Sequence, residues 1–379
     1  MDYLLKYKLK DTYVRLIHED TIQFGDEPGF SFEIDDESGF LKQLIPLLNG
    51  ENNVFDIKRE MFEFFPEITE EYISEVINEL DENLLITEHS VISNDNDRHK
   101  SNINFFENFS NLKFNSQDLL NRLITLKVGI IGLGGLGSNV LTQLAGFGCK
   151  EIFIIEPDFV EEKNLNRQFL YKTQDIGLRK AFVAKKNILL LNPNINVQTK
   201  VVEITSTQDL VDSLPDGLDI LICAADQPLL KIQLWCNQYC QIKGIPLISG
   251  GLGCTQGHFQ TVIPKKSPCL ECFYHQLIKE EKIKKSLLQI MEYENKNAAT
   301  GNNINMIASS IMTEILRIFA LKMEPISLGR RVFIDFLNLQ YTYENAWKKH
   351  KSCKCNKMQL FPSKTLLEEI EDEIFETKY

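Results

Sequence analysis

The sequence predicts an α/β protein built on a doubly wound, Rossmann-like, mostly parallel sheet, with a smaller domain before it. A glycine-rich turn at 132–137 follows the apolar run 126–131. From there on, apolar segments of strand length alternate with amphipathic helical segments, which predicts a parallel sheet with helices on both faces. A separate pattern of short elements fills residues 1–90, and 379 residues are enough for two domains.

The N-terminal module is expected to be winged-helix-like. Short alternating segments within 3–25 suit strands, and apolar residues then recur at helical spacing. Thr69 begins the third helix, with Glu70 and Glu71 in its first turn. The expected bounds are 40–48 and 54–65 for the first two helices and 83–87 for a closing strand. The module is acidic, which disfavours DNA, so we expect it to recognise a peptide laid along a strand edge.

The rest of the chain is read as a linker, a nucleotide domain and a tail. Residues 91–104 are polar and poor in aromatic residues, which is typical of a linker. Residues 105–360 would form the nucleotide domain, with a helical lead-in at 105–125, and 361–379 a tail that is helical or frayed over 366–375. Strands are expected at 127–131, 151–155, 197–204, 218–223 and 245–249, and helices at 137–147, 178–191 and 228–242.

Composition excludes several classes of function. The net charge of −12 argues against general binding of nucleic acid or an anionic membrane, because each needs a basic face. The chain begins with no signal-like segment, and no apolar stretch reaches about 18 residues, so we expect a cytoplasmic protein. In that setting the nine cysteines indicate reduced thiols or metal ligands, not disulfides.

The glycine turn predicts a phosphate site. Gly132, Gly134 and Gly137, together with Gly135, lie between a predicted strand and a predicted helix, whose N-terminus can hold a phosphate. An acidic residue ending the next strand, Glu156, could bind ribose hydroxyls. The alternative is a Rossmann-like fold whose glycines serve only packing.

Polar residues further along favour a triphosphate over a nicotinamide cofactor. Arg167 and Lys180 can neutralise phosphate charge, and Asp226 ends a strand at the carboxyl edge of the sheet, where it can hold Mg²⁺. Asn164 precedes Arg167 in the same run. Taken one at a time, Arg167 and Lys180 could be solvated surface charges, and Asp226 could be a helix cap. Their joint occurrence in this order is not expected by chance.

Two cysteine pairs predict a structural zinc site. Cys269 and Cys272 have the spacing that lets two thiolates hold one tetrahedral ion. Cys353 and Cys355 follow about 80 residues later. Zinc bound by both pairs would attach the C-terminal segment to the domain. The other cysteines are expected to be small buried apolar side chains without a covalent role: Cys149, Cys223, Cys236, Cys240 and Cys254.

The order of these motifs resembles the ThiF/MoeB superfamily, the adenylating enzymes related to ubiquitin-activating enzymes. The resemblance covers about 105–360. The N-terminal module and the run 249–253 suggest its MccB-like branch, which adenylates the C-terminus of a ribosomal peptide in microcin C-type antibiotic synthesis. The resemblance implies ATP, Mg²⁺ and Zn²⁺, a peptide substrate recognised by a peptide-clamp domain, and a homodimer to which the helix 304–321 contributes. An ordinary core helix fits that stripe equally well. A mobile segment at 286–303 would cover the acceptor.

The resemblance also assigns roles to single residues. It places the glycines on the phosphates, Glu156 on the ribose, and Asn164, Arg167 and Lys180 on the triphosphate, with Gln168 supporting Arg167 and Mg²⁺ on Asp226. The chain departs from the family twice. The family usually has aspartate at 156, so Asp158 could share that role, and its second cysteine pair is normally Cys-x-x-Cys, so His350 or His275 could replace one thiolate.

The expected reaction is attack of a carboxylate on the α-phosphorus of ATP, giving an acyl-adenylate and pyrophosphate. A dehydrogenase is disfavoured by Arg167 and Lys180. Two further functions stay open: activation of a ubiquitin-like sulfur carrier, and non-catalytic peptide binding within a peptide-modifying complex.

Overall fold

The structure, a computed structural model, describes residues 4–10, 15–25, 31–88, 97–278, 281–291, 298–357 and 360–376. The chain divides into two compact units, 1–122 and 123–379. Within the described residues, no helix combines the length and the apolarity needed to cross a membrane.

The first unit combines small antiparallel sheets with helices. Its strands are β1 (Tyr7–Leu9), β2 (Arg15–Ile17), β3 (Thr21–Phe24), β4 (Phe32–Asp35) and β5 (Ile86–Glu88), and its helices are α1 (Phe40–Leu47), α2 (Val54–Met61), α3 (Glu70–Glu82) and α4 (Lys100–Glu107). Strand β1 pairs with β5, and β2, β3 and β4 form a second sheet in that order. Asn53 caps α2 by accepting hydrogen bonds from Phe55 N and Asp56 N, and Thr69 caps α3 as its sequence predicted.

Two expectations for this half of the chain need correction. The single lead-in helix at 105–125 is wrong: α4 ends at Glu107, and α5 (Ser116–Ile124) begins only after a turn. In the turn, Asn111 Oδ1 accepts hydrogen bonds from the backbone of Lys113 and Phe114, which competes with helix formation. Part of the expected linker is also helical, because α4 starts at Lys100 after a 3₁₀ turn at Asp97–His99, whereas 91–96 lies outside the described residues.

The second unit contains one eight-stranded sheet. Its strands are β6 (Lys127–Ile131), β7 (Glu151–Ile155), β8 (Asn196–Lys200), β9 (Ile220–Cys223), β10 (Leu247–Leu252), β11 (Gln256–Val262), β12 (Arg331–Asp335) and β13 (Tyr341–Tyr343). The helices are α6 (Gly135–Phe147), α7 (Lys180–Leu191), α8 (Thr207–Ser213), α9 (Lys231–Lys243), α10 (Leu270–Leu277), α11 (Glu281–Met291), α12 (Gly301–Ile315) and α13 (Leu366–Glu376).

The sheet order confirms the predicted doubly wound core. The order is β13-β12-β11-β10-β9-β6-β7-β8, and the five strands from β10 to β8 run parallel. The chain starts in the middle at β6, winds outward to β8 and returns to β9 and β10, so right-handed crossovers put helices on both faces. The three antiparallel strands β11 to β13 were not expected from the sequence.

One outer helix departs from expectation, and the tail adopts the helical alternative that was expected for it. The helix expected at 304–321 starts earlier, at Gly301, and ends in a π-helical segment at Leu316–Ala320. Its apolar stripe is buried inside the chain, because α12 packs on α6, β10 and β11. The tail helix α13 is docked: Lys231 Nζ lies 2.7 Å from Glu371 Oε2, and the indole of Trp235 donates to Glu368 Oε1 at 3.1 Å.

Candidate active site

The candidate site forms where three neighbouring parallel strands end. Because β6 lies between β9 and β7, their carboxyl ends meet at one edge of the sheet, the usual ligand position in open α/β folds. The loops leaving β6, β7 and β9 carry the glycine turn, Glu156 and Asp226 respectively. The sequence-predicted elements are therefore brought to a common edge.

Two of the glycines are required by close packing. Gly132 has φ 89°, and a Cβ there would lie 2.8 Å from the backbone nitrogen of Ala225. A Cβ on Gly137 would lie only 2.0 Å from the carbonyl oxygen of Gly132. The turn is thus compact, and it lies directly against the residue before Asp226.

The other two glycines lie at the start of α6. Gly134 is the N-cap residue, where a Cβ would meet only Gln168 Nε2 at 3.8 Å. A Cβ on Gly135 would come within 2.3 Å of Ile304 Cδ1 in α12. Gly135 is therefore explained by helix packing, whereas Gly134 leaves the N-terminus of α6 open to a close ligand such as phosphate.

Glu156 is buried, and both of its carboxylate oxygens hold backbone groups. Oε2 accepts a hydrogen bond from Leu133 N in the glycine turn, and Oε1 accepts one from Asp158 N at 2.8 Å. Burial raises the pKa of this carboxyl, and the nearby Lys180 ammonium only partly opposes that rise. The side chain is 3% exposed, so little oxygen surface is left to meet the ribose that the sequence assigned to it.

Lys180 is a buried cation of the site. It is the first residue of α7, and its Nζ lies 3.0 Å from Asp158 Oδ2. The backbone N–H of Lys180 also donates to the Asp158 carbonyl, at 3.0 Å. Asp158 therefore fixes the lysine by two contacts, a role the sequence did not assign to it.

The run from Asn164 to Gln168 is compact and largely self-bonded. Asn164 Oδ1 accepts from Glu161 N at 3.0 Å and closes a 3₁₀ turn. The Arg167 guanidinium donates to Lys163 O at 2.7 Å and to Asn166 Oδ1 at 2.9 Å. Gln168 is buried, and its Oε1 has no hydrogen-bond partner among the described residues. The arginine is therefore oriented by Lys163 and Asn166, and Gln168 is left as a polar group facing the start of α6.

Asp226 is exposed beyond the end of β9. Ala224 N donates to Ile131 O at 2.9 Å, which holds this loop beside the glycine turn. An exposed carboxylate at this edge has the chemistry that Mg²⁺ prefers.

Sequence reasoning missed one residue of the site, Tyr171. It is 4% exposed, and its hydroxyl donates to the carbonyl oxygen of Leu133 at 2.9 Å. Burial raises the pKa of this phenol far above its usual range. A tyrosine four residues after Arg167 carries no motif, so the fold alone reveals its contact.

The four predicted cysteine ligands come together. The sulfur atoms of Cys269, Cys272, Cys353 and Cys355 all lie within 4.8 Å of one another. Individual separations are 3.9 Å for 269–272, 3.4 Å for 269–353 and 3.5 Å for 272–355. A tetrahedral zinc–thiolate site requires about 3.8 Å between sulfurs. The cluster can therefore hold a metal with Cys355 as the fourth ligand.

Neither histidine joins this cluster. His350 donates its backbone N–H to Cys272 Sγ at 3.4 Å, and its ring stacks on that of His275 with centroids 4.5 Å apart. Of the remaining cysteines, Cys149, Cys223, Cys236 and Cys240 are buried as expected. The prediction that Cys254 is buried is wrong. Cys254 is exposed because it lies in the turn between β10 and β11.

Fold and motifs together define a Rossmann-type nucleotide-binding protein. The ThiF family model matches residues 106–357, so the chain belongs to the ThiF family. Over 40% of its length it is 32% identical to the SAMP-activating enzyme E1 of Haloferax volcanii and 34% identical to the sulfur carrier protein adenylyltransferase of Thermus thermophilus. The matched regions span only 55% and 57% of those relatives.

The fold is shared more widely than the sequence. Escherichia coli MccB has the same fold, with a TM-score of 0.77 over 94% of this chain and 98% of MccB at 23% identity. That likeness extends through both units of the chain.

Proposed function

We propose that this protein is an ATP-dependent adenylyltransferase that activates the C-terminal carboxylate of a peptide. The observation that carries the proposal is the meeting of the glycine turn, the buried Lys180 and the exposed Asp226 at one sheet edge, in a chain of the ThiF family. Relatives named as adenylyltransferases and activating enzymes support the same chemistry.

In the proposed step, an oxygen of the substrate carboxylate forms a bond to the α-phosphorus of ATP. The bond from that phosphorus to the bridging oxygen breaks, and pyrophosphate leaves with the electron pair. Lys180 and Arg167 stabilise the negative charge on the phosphates, and the N-terminus of α6 at Gly134 holds one of them. Asp226 would hold Mg²⁺, which neutralises phosphate charge when bound. Asn164 and Gln168 are proposed to complete the nucleotide site.

A peptide substrate is supported by the first unit. Strand β2 lies at the edge of its sheet, and Leu16 and Ile17 on that strand are 42% and 59% exposed. An edge strand with exposed apolar residues can accept a peptide as an added strand. Solved structures of MccB, the microcin C7 biosynthetic enzyme, contain MccA. We therefore propose a ribosomally made peptide, in a microcin C-like biosynthesis, as the substrate.

A second candidate function is activation of a ubiquitin-like sulfur carrier. It is favoured by the relatives in sequence, which include a sulfur carrier protein adenylyltransferase. The chemistry at ATP would be the same, and only the acceptor would differ. A homodimer, proposed from family resemblance, is compatible with either acceptor; sedimentation velocity would test it.

We propose that zinc occupies the cluster of Cys269, Cys272, Cys353 and Cys355. Thiolate donors at these separations suit zinc, and they tie residues 353–355 to the start of α10. The ion would stabilise the fold and take no part in adenylation.

ATP–pyrophosphate exchange tests the proposed activity. The wild-type chain should exchange label only when a suitable acceptor is present: peptides encoded beside the gene, or a carrier ending in Gly-Gly. Asp226→Ala should lower exchange at least about 100-fold without changing the unfolding temperature. Glu324→Ala, which removes another exposed carboxylate, is the matched control. Exchange in Asp226→Ala equal to that of the control would contradict the assignment, and exchange only with the carrier would select the second function.

A further inference from the structure

We propose that Glu156 and Tyr171 are positioning residues that together hold the glycine turn, and that Glu156 is not the ribose ligand. The inference rests on the proposed function, since it concerns how the same site binds ATP. It departs from the role that family resemblance gives to this acidic position.

The two side chains hold the two backbone groups of the same residue. Glu156 accepts the N–H of Leu133, and Tyr171 donates to the C=O of Leu133 at 2.9 Å. These groups belong to consecutive peptide units, so the planes on both sides of Leu133 are fixed. Both side chains are almost fully buried, at 3% and 4% exposure, and so are held in place by packing.

The two contacts that Glu156 and Tyr171 make with Leu133, which together we call the clamp, set the direction of the phosphate-binding group. In a trans peptide the C=O of Leu133 and the N–H of Gly134 point in opposite directions. Because Tyr171 holds the C=O, the N–H of Gly134 is turned away from Tyr171, at the N-terminus of α6. A backbone N–H at a helix N-terminus is a suitable donor to an anionic phosphate.

Glu156 also connects the turn to the catalytic lysine. Its second oxygen accepts the N–H of Asp158, and the Asp158 carboxylate holds Lys180 at 3.0 Å. One buried carboxylate therefore sets both the glycine turn and the residue that aims the cation. An aspartate carboxylate has the same two oxygens, but its side chain is one methylene, or about 1.5 Å, shorter, so it would not reach both donors from the same backbone position.

The test compares ATP with 2′-deoxy-ATP and 3′-deoxy-ATP in Glu156→Gln and Tyr171→Phe. If both residues act by positioning, each variant loses roughly 10- to 100-fold in kcat/KM, by the same factor for all three nucleotides. Glu156→Asp should remain impaired. Tyr343→Phe, on the exposed strand β13, should match wild type.

A different pattern would overturn the proposal. If Glu156→Gln lost activity with ATP but equalled wild type with a deoxynucleotide, Glu156 would be the ribose ligand. Wild-type activity in Tyr171→Phe would remove the tyrosine from the clamp, and full rescue by Glu156→Asp would also contradict it. If the wild type showed no exchange at all, the proposed function would fail separately. Calorimetric affinities for the Mg²⁺ complexes of the non-hydrolysable ATP and deoxy-ATP analogues would then supply the same ratios without turnover.

Discussion

The ammonium of Lys180 and the carboxylate of Asp158 are 3.0 Å apart, yet their side chains are 5% and 63% exposed. The cation is enclosed by protein, whereas its partner faces solvent. The pair contributes little to stability because one member is well solvated, so its main effect is to aim the lysine.

Replacing Lys180 should separate activity from stability. We expect Lys180→Ala to lower ATP–pyrophosphate exchange roughly 100- to 1,000-fold, because one charge-stabilising donor is lost. The unfolding temperature should change little. Lys186→Ala, an exposed lysine on the same helix α7, is the control. Equal exchange activity in the two variants would show that Lys180 does not take part in adenylation.

The glycines of α6 offer a matched pair of substitutions. A Cβ on Gly137 would clash with Gly132 O at 2.0 Å, whereas a Cβ on Gly146 meets nothing within 4 Å. Gly137→Ala should destabilise the chain by about 2 kcal/mol or more, and Gly146→Ala should stabilise it by about 0.5–1 kcal/mol through helix propensity. Urea unfolding measures both, and equal effects would show that the turn is not close-packed.

The cysteine cluster predicts which ligands zinc needs. Cys355→Ser should weaken zinc binding, whereas His350→Ala should keep one zinc per chain, because the imidazole lies outside the sulfur cluster. Metal content by mass spectrometry after competition with a chromophoric chelator gives the comparison. Chelation should also lower the unfolding temperature, since the ion links residues 353–355 to α10. Zinc lost only in the histidine variant would reverse the assignment.

Lys10 predicts a pH dependence of stability in the first unit. Its side chain is fully buried, and its Nζ donates to the carbonyl of Ser110 at 2.6 Å. Burial lowers its pKa from 10.5 to about 8, against the attraction of Glu107 and Asp81. Between those pH values the unfolded chain binds more protons than the folded one, so stability should rise as pH increases from 8 to 10.5.

Urea unfolding at several pH values tests this titration. Lys10→Met should lose the rise in stability, whereas Lys113→Met, which removes an exposed lysine, should keep it. The slope with pH is compared instead of the absolute free energy, because the methionine also leaves the Ser110 carbonyl without its donor. An unchanged slope in Lys10→Met would assign the rise to another group.

The parallel core could be predicted because its signals are local. Strands β6, β7, β9 and β10 are short, mostly apolar runs, whereas β8 is mostly polar, and the glycine turn marks the first crossover. The antiparallel strands β11 to β13 could not be predicted in this way. They mix polar and apolar residues, and β12 pairs with a strand some 70 residues away, so only tertiary pairing identifies them.

The candidate site was predictable in its residue types but not in its bonding. Lys180 and the cysteine cluster lie where their motifs suggested. The direction of the Glu156 carboxylate depends on the peptide of Leu133, and the role of Tyr171 depends on burial of its hydroxyl. No spacing rule encodes either, because both result from how the glycine turn packs once the sheet has formed.

The contact between Gly132 and Ala225 has a consequence for engineering. With a hypothetical Cβ only 2.8 Å from the neighbouring backbone, the loops that follow β6 and β9 interlock without room for a side chain. A glycine turn transplanted from a relative would not fit against this loop unless the residues following β9 were transplanted with it. Chimeras of this enzyme should therefore exchange the two loops as a pair.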